Sequence, residues 1–258
     1  MKSDTQRREA ARRRLPGLTV KDGYTSHPFD IENRTRTSGL VAGRYLKSGH
    51  LHDRHATAYF GVAPSVLKSL LRRWRATGPA GPIEQFMFID VGAGMGRALL
   101  LAAEMPFRKA IGIELNPTLV GIARRNMSSW RARGRTRTAT RIVCCDAVQF
   151  NYPAAPCLLF LFNPFGATVM RRMLARLTSI FANHPGGLDL LYVNNEQEQV
   201  LERRSGFTRL FAGQVRRSRA DAIADHAIMA NQPDGEYASS NYEDCSIWRW
   251  VGEKPFRE

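Results

Sequence analysis

Residues 88–96 read Phe-Ile-Asp-Val-Gly-Ala-Gly-Met-Gly: an apolar run, an acid at Asp90, then glycines at 92, 94 and 96. Glycine lets a backbone turn tightly and lets a ligand approach the chain closely. Gly92, Ala93, Gly94 and Gly96 are therefore candidate ligand contacts. The dinucleotide spacing G-x-G-x-x-G fails, because the sixth position is Arg97 counted from Gly92 and Leu99 counted from Gly94. The G-K-S/T of a phosphate loop is absent. A carboxylate two residues before the first glycine repels a pyrophosphate and suits a cation, an ammonium or a sulfonium. A second apolar run ends at Glu114, 18 residues after Gly96, with Leu115 beside it. An acid in that place accepts hydrogen bonds from ribose hydroxyls. A third run ends in Cys144-Cys145-Asp146-Ala147.

Ligands of parallel sheets bind outside the carboxyl ends of the strands. Three acids at three strand ends, with no phosphate loop, point to a nucleoside that carries an amino acid and no phosphate: S-adenosylmethionine (SAM). Asp90 to Gly96, Glu114 and Asp146 together resemble the SAM-binding motifs of the class I, Rossmann-like methyltransferases, over roughly residues 84–200. The resemblance implies that Asp90 and its glycine loop hold the amino-acid part of SAM. It implies that Glu114 holds the ribose and that Asp146 contacts the adenine amino group. For each acid alone, an N-cap or loop carboxylate is the competing reading.

A fourth run ends in Phe162-Asn163-Pro164-Phe165-Gly166. This is similar to the [D/N/S]-P-P-[Y/F/W] motif of amino-group methyltransferases, without its second proline. The resemblance implies that Asn163, Pro164 and Phe165 line the acceptor, a polar side chain and a carbonyl accepting from its N–H group. A strand-ending turn is the alternative, since Asn-Pro and Phe-Gly are turn pairs. The chain also resembles bacterial SAM-dependent methyltransferases with the pattern F-I/L-D-x-G-x-G-x-G-R…E…DA…F-N-P-F. Their upstream elements correspond to Phe29-Asp30…Thr37-Ser38-Gly39 and to Tyr59-Phe60-Gly61-Val62-Ala63-Pro64-Ser65, with Arg34 where a glycine is common. More distantly, the chain is similar to the Rossmann-like protein lysine methyltransferases. The expectation is a SAM-dependent methyltransferase acting by in-line displacement on a nitrogen of a protein or small molecule. An RNA or DNA methyltransferase, or a nucleic-acid-binding protein without turnover, is the alternative. Tyr59 and His55 are candidate bases if residues 25–80 close over the site.

The elements that must position these residues follow from periodicity. A helix is expected from Pro64, with Val66, Leu70, Leu71 and Trp74 on one face. Strands are expected at 86–91, 109–113, 141–145, 157–162 and 188–193, and helices at 97–105, 117–130, 167–181 and 196–204. Asn116 and Pro117 form an N-cap and first-turn pair. Near-continuous apolar strands alternating with helices mean a buried parallel sheet. The fold class is therefore α/β, a doubly wound, mostly parallel, seven-stranded sheet. Residues 207–211 and 246–251 would close one edge as an antiparallel pair. The expected division is a basic flexible tail (1–24), a lid (25–80) and a SAM-binding domain (81–258).

Composition bounds the rest. The 258 residues are 43% hydrophobic and 24% charged, which excludes wholesale disorder. The densest apolar stretch, Cys157 to Phe162, is too short to span a membrane. With no apolar segment after the basic N-terminus, a cytoplasmic protein with reduced thiols is expected. The net charge is +15, carried by 32 arginines and only six lysines. That balance suits a polyanionic partner, although a GC-rich coding sequence also produces it. Trp130 and Arg131 to Arg137 form the densest basic cluster, expected to be an exposed loop away from the site rather than a base-stacking surface. His50-Leu51-His52-Asp53-Arg54-His55 invites a metal reading, but no second ligand cluster is evident, so a solvated loop and no metal are expected. Cys144, Cys145 and Cys157 are expected in the core.

Overall fold

The structure is a computed structural model that describes residues 25–231 and 237–253. The expected tail, residues 1–24, lies outside the described residues. The first described elements are a short helix α1 (Pro28–Asn33), an antiparallel pair of two-residue strands, β1 (Leu40–Val41) and β2 (Tyr59–Phe60), and helix α2 (Pro64–Ala76). Residues 25–60 are held by buried polar side chains together with the buried Phe29, Val41, Leu46 and Tyr59. Asp30 accepts from the Thr37 amide (2.7 Å) and from the Thr35 and Thr37 hydroxyls (2.7 Å each). Arg34 ends α1 in the left-handed region (φ 52°). That conformation favours glycine, which accounts for the glycine expected there.

The central sheet has seven strands: β3 (Met87–Val91), β4 (Lys109–Glu114), β5 (Thr140–Cys144), β6 (Cys157–Phe162), β7 (Leu188–Val193), β8 (Phe207–Arg216) and β9 (Tyr242–Trp250). Their order is β5-β4-β3-β6-β7-β9-β8. The first five are parallel, and β9 pairs antiparallel with both β7 and β8. The α/β class, the parallel core and the antiparallel edge all agree with the sequence expectation. The chain steps from β4 and β5 on one side of β3 to β6 on the other. This reversal opens a crevice at the carboxyl ends of β3 and β6.

The sheet is covered on both faces by α2, α3 (Arg97–Ala103), α4 (Pro117–Ala132), α5 (Ala167–Ile180), α6 (Glu198–Glu202) and α7 (Arg219–Ala230). Asn116 caps α4 by accepting from the Thr118 and Leu119 amides, with Pro117 at the first position. Within the expected lid, α2 belongs to the body: Val66, Leu67, Leu70 and Trp74 are fully buried in the same core as β3 and β6. Trp74 donates to the buried Asp189 carboxylate (2.7 Å), which also receives Arg249 (2.8 Å). Only residues 25–63 remain to cover the carboxyl edge. Helix α7 is missing from the periodicity reading. Its buried face carries Asp221 and Asp225 among alanines, and charges opposite His27 and Arg217 replace an apolar stripe.

Candidate functional site

The glycine loop leaves β3 and turns back under its own hydrogen bonds. The Gly92 and Ala93 amides donate to the Ile113 carbonyl (2.9 Å each), and Gly92, Gly94 and Gly96 all have positive φ. Glu114 holds the loop from the next strand. Its Oε2 accepts from the Gly94 amide and its Oε1 from the Asn116 amide, both at 2.8 Å. Burial pushes the Glu114 carboxyl above its ordinary range, against those amides. The Leu115 amide also donates to this carboxyl, and three amide donors on four acceptor sites leave one position for a ligand hydroxyl.

Space that the missing Cβ atoms would occupy is filled by the protein itself. A Cβ on Gly92 would stand 2.5 Å from the Pro164 Cβ, one on Gly96 would crowd Ala123, and one on Gly94 would overlap the Tyr59 ring. The three glycines therefore serve contacts with the turn after β6, with α4 and with β2. Tyr59 is buried and its hydroxyl donates to the Thr37 carbonyl (2.7 Å), so the phenol is committed to the covering segment. His55 does not line the cleft, and its carbonyl accepts from the Gly166 amide (3.0 Å). Neither residue is set as a base here.

Asp90 is buried below the loop, where one oxygen meets the Leu99 amide and Oδ2 has no hydrogen-bond partner. Burial, reinforced by the Glu114 carboxylate, pushes it up to about 8. The cleft is lined by Gly92, Glu114, Leu115, Asp146, Ala147, Pro164 and Phe165, together with Tyr59 and Phe60 of the covering segment. Asp90, Ala93, Gly94, Gly96 and Asn163 do not line this cleft.

Asn163 adopts φ 38°, a left-handed conformation that asparagine tolerates better than most residues. Its carbonyl accepts from the Thr57 hydroxyl, and Ala56 pairs antiparallel with Phe165. The covering segment is thus pinned to the turn it covers. A second cavity of about 480 Å³ opens beyond this turn. Asn163 lines it, and it shares Thr57, Ala58, Phe60 and Phe162 with the first cleft. Glu196, Glu243 and Asp244 bring carboxylates to it. Its arginine, Arg217, is paired with Glu243 and with Asp225 (3.4 Å).

Sequence reasoning missed Arg97, which it used only to exclude a dinucleotide motif. Arg97 is buried and donates to Thr37 Oγ1 (2.7 Å), Ser38 Oγ (3.2 Å) and the Gly61 carbonyl (3.1 Å). Its partners lie 36–60 residues upstream, a separation no local pattern reveals. The solvated-loop expectation for 50–55 is also corrected. His52 is buried, with Nδ1 2.8 Å from Asp146 Oδ2, and His50 Nε2 lies 4.0 Å from the same oxygen. The second ligand group is the end of β5, nearly a hundred residues away in sequence.

Two surface expectations are settled. Trp130 is buried and stacks on Phe29 (5.6 Å), so it is not a base platform. Arg135 is bound to Glu104 (2.6 Å) and lies over Trp130 (4.7 Å). Cys144 is exposed and Cys145 half-buried rather than in the core, because β5 is an edge strand; Cys157 and Cys245 are buried.

No family model matches the chain. Over 44 residues it is 50% identical to the adenine nucleotide translocase lysine N-methyltransferase of Mus musculus, a stretch covering 17% of this chain and 18% of that protein. The match thus spans under a fifth of that relative's length. Among solved structures, the 4+2 cyclase SpnF is 19% identical, over 73% of this chain and 81% of that one, with a TM-score of 0.51. The precorrin-6y C5,15-methyltransferase of Geobacter metallireducens GS-15 is 16% identical over 72% and 88%, with a TM-score of 0.48. The magnesium protoporphyrin IX methyltransferase of Synechocystis PCC 6803, solved with bound SAM, is 13% identical over 72% and 78%, with a TM-score of 0.45. Of these solved structures, SpnF carries a likeness of the fold alone, an α/β sheet. A cyclase among them shows that the fold does not fix the reaction. No described helix is long and apolar enough to cross a membrane.

Proposed function

We propose that the chain is a SAM-dependent methyltransferase acting on a cationic amine, a lysine side chain of a protein or peptide being the first candidate. The observation that carries this reading is the pair of cavities meeting at the Phe162-Asn163-Pro164 turn. One has the makings of a nucleoside site: Glu114 with spare acceptor capacity, a glycine loop and Asp146 at the far strand end. The other collects Glu196, Glu243 and Asp244 in a protein of net charge +15. An acidic cavity in a basic protein favours a cationic guest. The lysine N-methyltransferase matched over 44 residues supports the same acceptor class.

Held in the first cleft, SAM supplies an electrophilic methyl group on a sulfonium sulfur. Glu114 would hold the ribose, Asp146 the adenine, and Gly92 with Leu115 and Ala147 the cleft walls. Glu196 and Asp244 draw the ammonium in. That ammonium would give up its proton to water at the mouth of the second cavity before its lone pair attacks the methyl carbon. The carbon–sulfur bond then breaks, and its electron pair stays on a neutral thioether. Phe60 and Phe162 exclude water where the cavities meet, and most of the acceleration comes from positioning.

Calorimetric titration with SAM and with S-adenosylhomocysteine tests the cofactor, and transfer of labelled methyl from SAM to lysine-bearing peptides or to RNA tests the acceptor. Micromolar binding and labelled peptide are expected. Labelled RNA with unlabelled peptide would replace the amine acceptor by a nucleic acid. No binding of either nucleoside would remove the methyltransferase reading.

A further inference from the structure

We infer that His52 and Asp146 together read the adenine edge of the nucleoside, with Arg172 of α5 fixing the protonation of His52. This inference rests on the cofactor reading above. Residues 48–55 form a rigid turn around Asp53, which accepts from the Ser48 amide and hydroxyl (2.8 and 2.7 Å) and the Gly49 amide (2.8 Å). The turn carries His52 into the wall of the cleft, where it is 94% buried. Its Nε2 lies 3.1 Å from Arg172 Nη1. A guanidinium donates and never accepts. Nε2 therefore presents its lone pair to Arg172, and the ring proton of the neutral imidazole sits on Nδ1.

That proton has no hydrogen-bond acceptor, although Nδ1 is only 2.8 Å from Asp146 Oδ2. The distance suits a hydrogen bond and the angle does not. Asp146 is itself held by the Val148 amide on Oδ1 (2.9 Å). The cleft thus presents a buried N–H donor beside a carboxylate acceptor. Adenine offers the complement: a ring nitrogen that accepts, next to an exocyclic amino group that donates. His52 would donate from Nδ1 to the ring nitrogen, and Asp146 would accept from the amino group. Hypoxanthine replaces the amino group by a carbonyl, which the carboxylate repels. A buried donor left without its acceptor penalises the wrong base strongly.

The same atoms suggest a metal, since ligand atoms of His50, His52 and Asp146 lie within 4.8 Å of one another. Arg172 argues against it. A neutral imidazole that ligates through Nδ1 carries its proton on Nε2, which would face the guanidinium donors.

The test is titration of the whole protein with S-adenosylhomocysteine and its hypoxanthine counterpart, S-inosylhomocysteine. The parent should prefer the adenine compound by about 100-fold or more, the range seen when a polar site meets a mismatched group. His52→Ala should weaken adenine binding about tenfold and shrink that preference by about as much. His52→Asn keeps an N–H near the Nδ1 position and should restore the preference. Arg172→Met frees the tautomer and should give an intermediate loss. Thermal melts establish that each variant is folded. Equal weakening of both compounds in His52→Ala, or no effect, overturns the role of His52. Stoichiometric zinc binding that His50→Ala abolishes overturns the protonation assigned to Nδ1. A parent that binds neither compound removes the cofactor reading itself, and this inference with it.

Discussion

Arg97 Nε donates to the Thr37 hydroxyl at 2.7 Å, tying the first residue of α3 to the segment that covers the sheet edge. Asp30 stands 4.0 Å from the same guanidinium. Burial works to raise the Asp30 carboxyl, but Arg97 and the Ser38, Thr35 and Thr37 hydroxyls hold it below its ordinary value. Arg97→Met would strand the buried Asp30 carboxylate and the Gly61 and Val62 carbonyls. It should cost about 3–5 kcal/mol, the usual loss when one partner of a buried pair is removed. Urea unfolding measures it. Arg97→Met combined with Asp30→Asn should cost less than the two single losses added, since the two groups interact.

Tyr59 over Gly94 predicts a second non-additivity. Gly94→Ala meets both the ring and a φ of 53° and should destabilise by about 1–3 kcal/mol or more. In a Tyr59→Ala background the collision is gone and only the backbone strain remains. The alanine at 94 should then cost clearly less, read as the shift in thermal midpoint. An identical cost in both backgrounds would mean that the ring does not need the glycine.

The Asp90 carboxyl gives a pH signature. The folded protein holds a proton up to about 8 that the unfolded chain releases near 3.8. The stability that this proton contributes is complete below pH 3.8 and is lost as pH rises toward 8. Asp90→Asn keeps a neutral group of the same shape. Its stability relative to the parent should therefore improve steadily from about pH 5 to about pH 8. A pH-independent difference would contradict a protonated Asp90.

The acidic cavity predicts a change in substrate preference rather than in cofactor binding. Glu196→Lys and Asp244→Lys place like charge beside a cationic acceptor. Each should raise KM for a lysine peptide about tenfold, leaving SAM affinity within about twofold of the parent. Peptide kinetics beside SAM calorimetry separates the two. A loss of SAM affinity alone would move these acids to the wrong cavity.

The sheet and the ends of its strands are legible in local sequence. Cys157–Phe162 is apolar on both faces and Leu188–Val193 is broken only by Asp189, so strand identity and burial are encoded locally. Asp90 is the penultimate residue of β3, Glu114 the last of β4, and Asp146 comes two residues past β5, so their place at one edge comes with the parallel fold. Tertiary structure alone decided which atoms those acids meet. The glycines accommodate Pro164, Tyr59 and Ala123, which come from three separate elements. Arg97 finds Thr37, and His52 finds both Asp146 and Arg172, across 60, 94 and 120 residues. Buried charges such as Asp221 and Asp225 interrupt the apolar period that marks a helix, so α7 left no stripe to read. Periodicity reports which face of an element is buried, while the partners of a buried polar group depend on packing between elements distant in the chain.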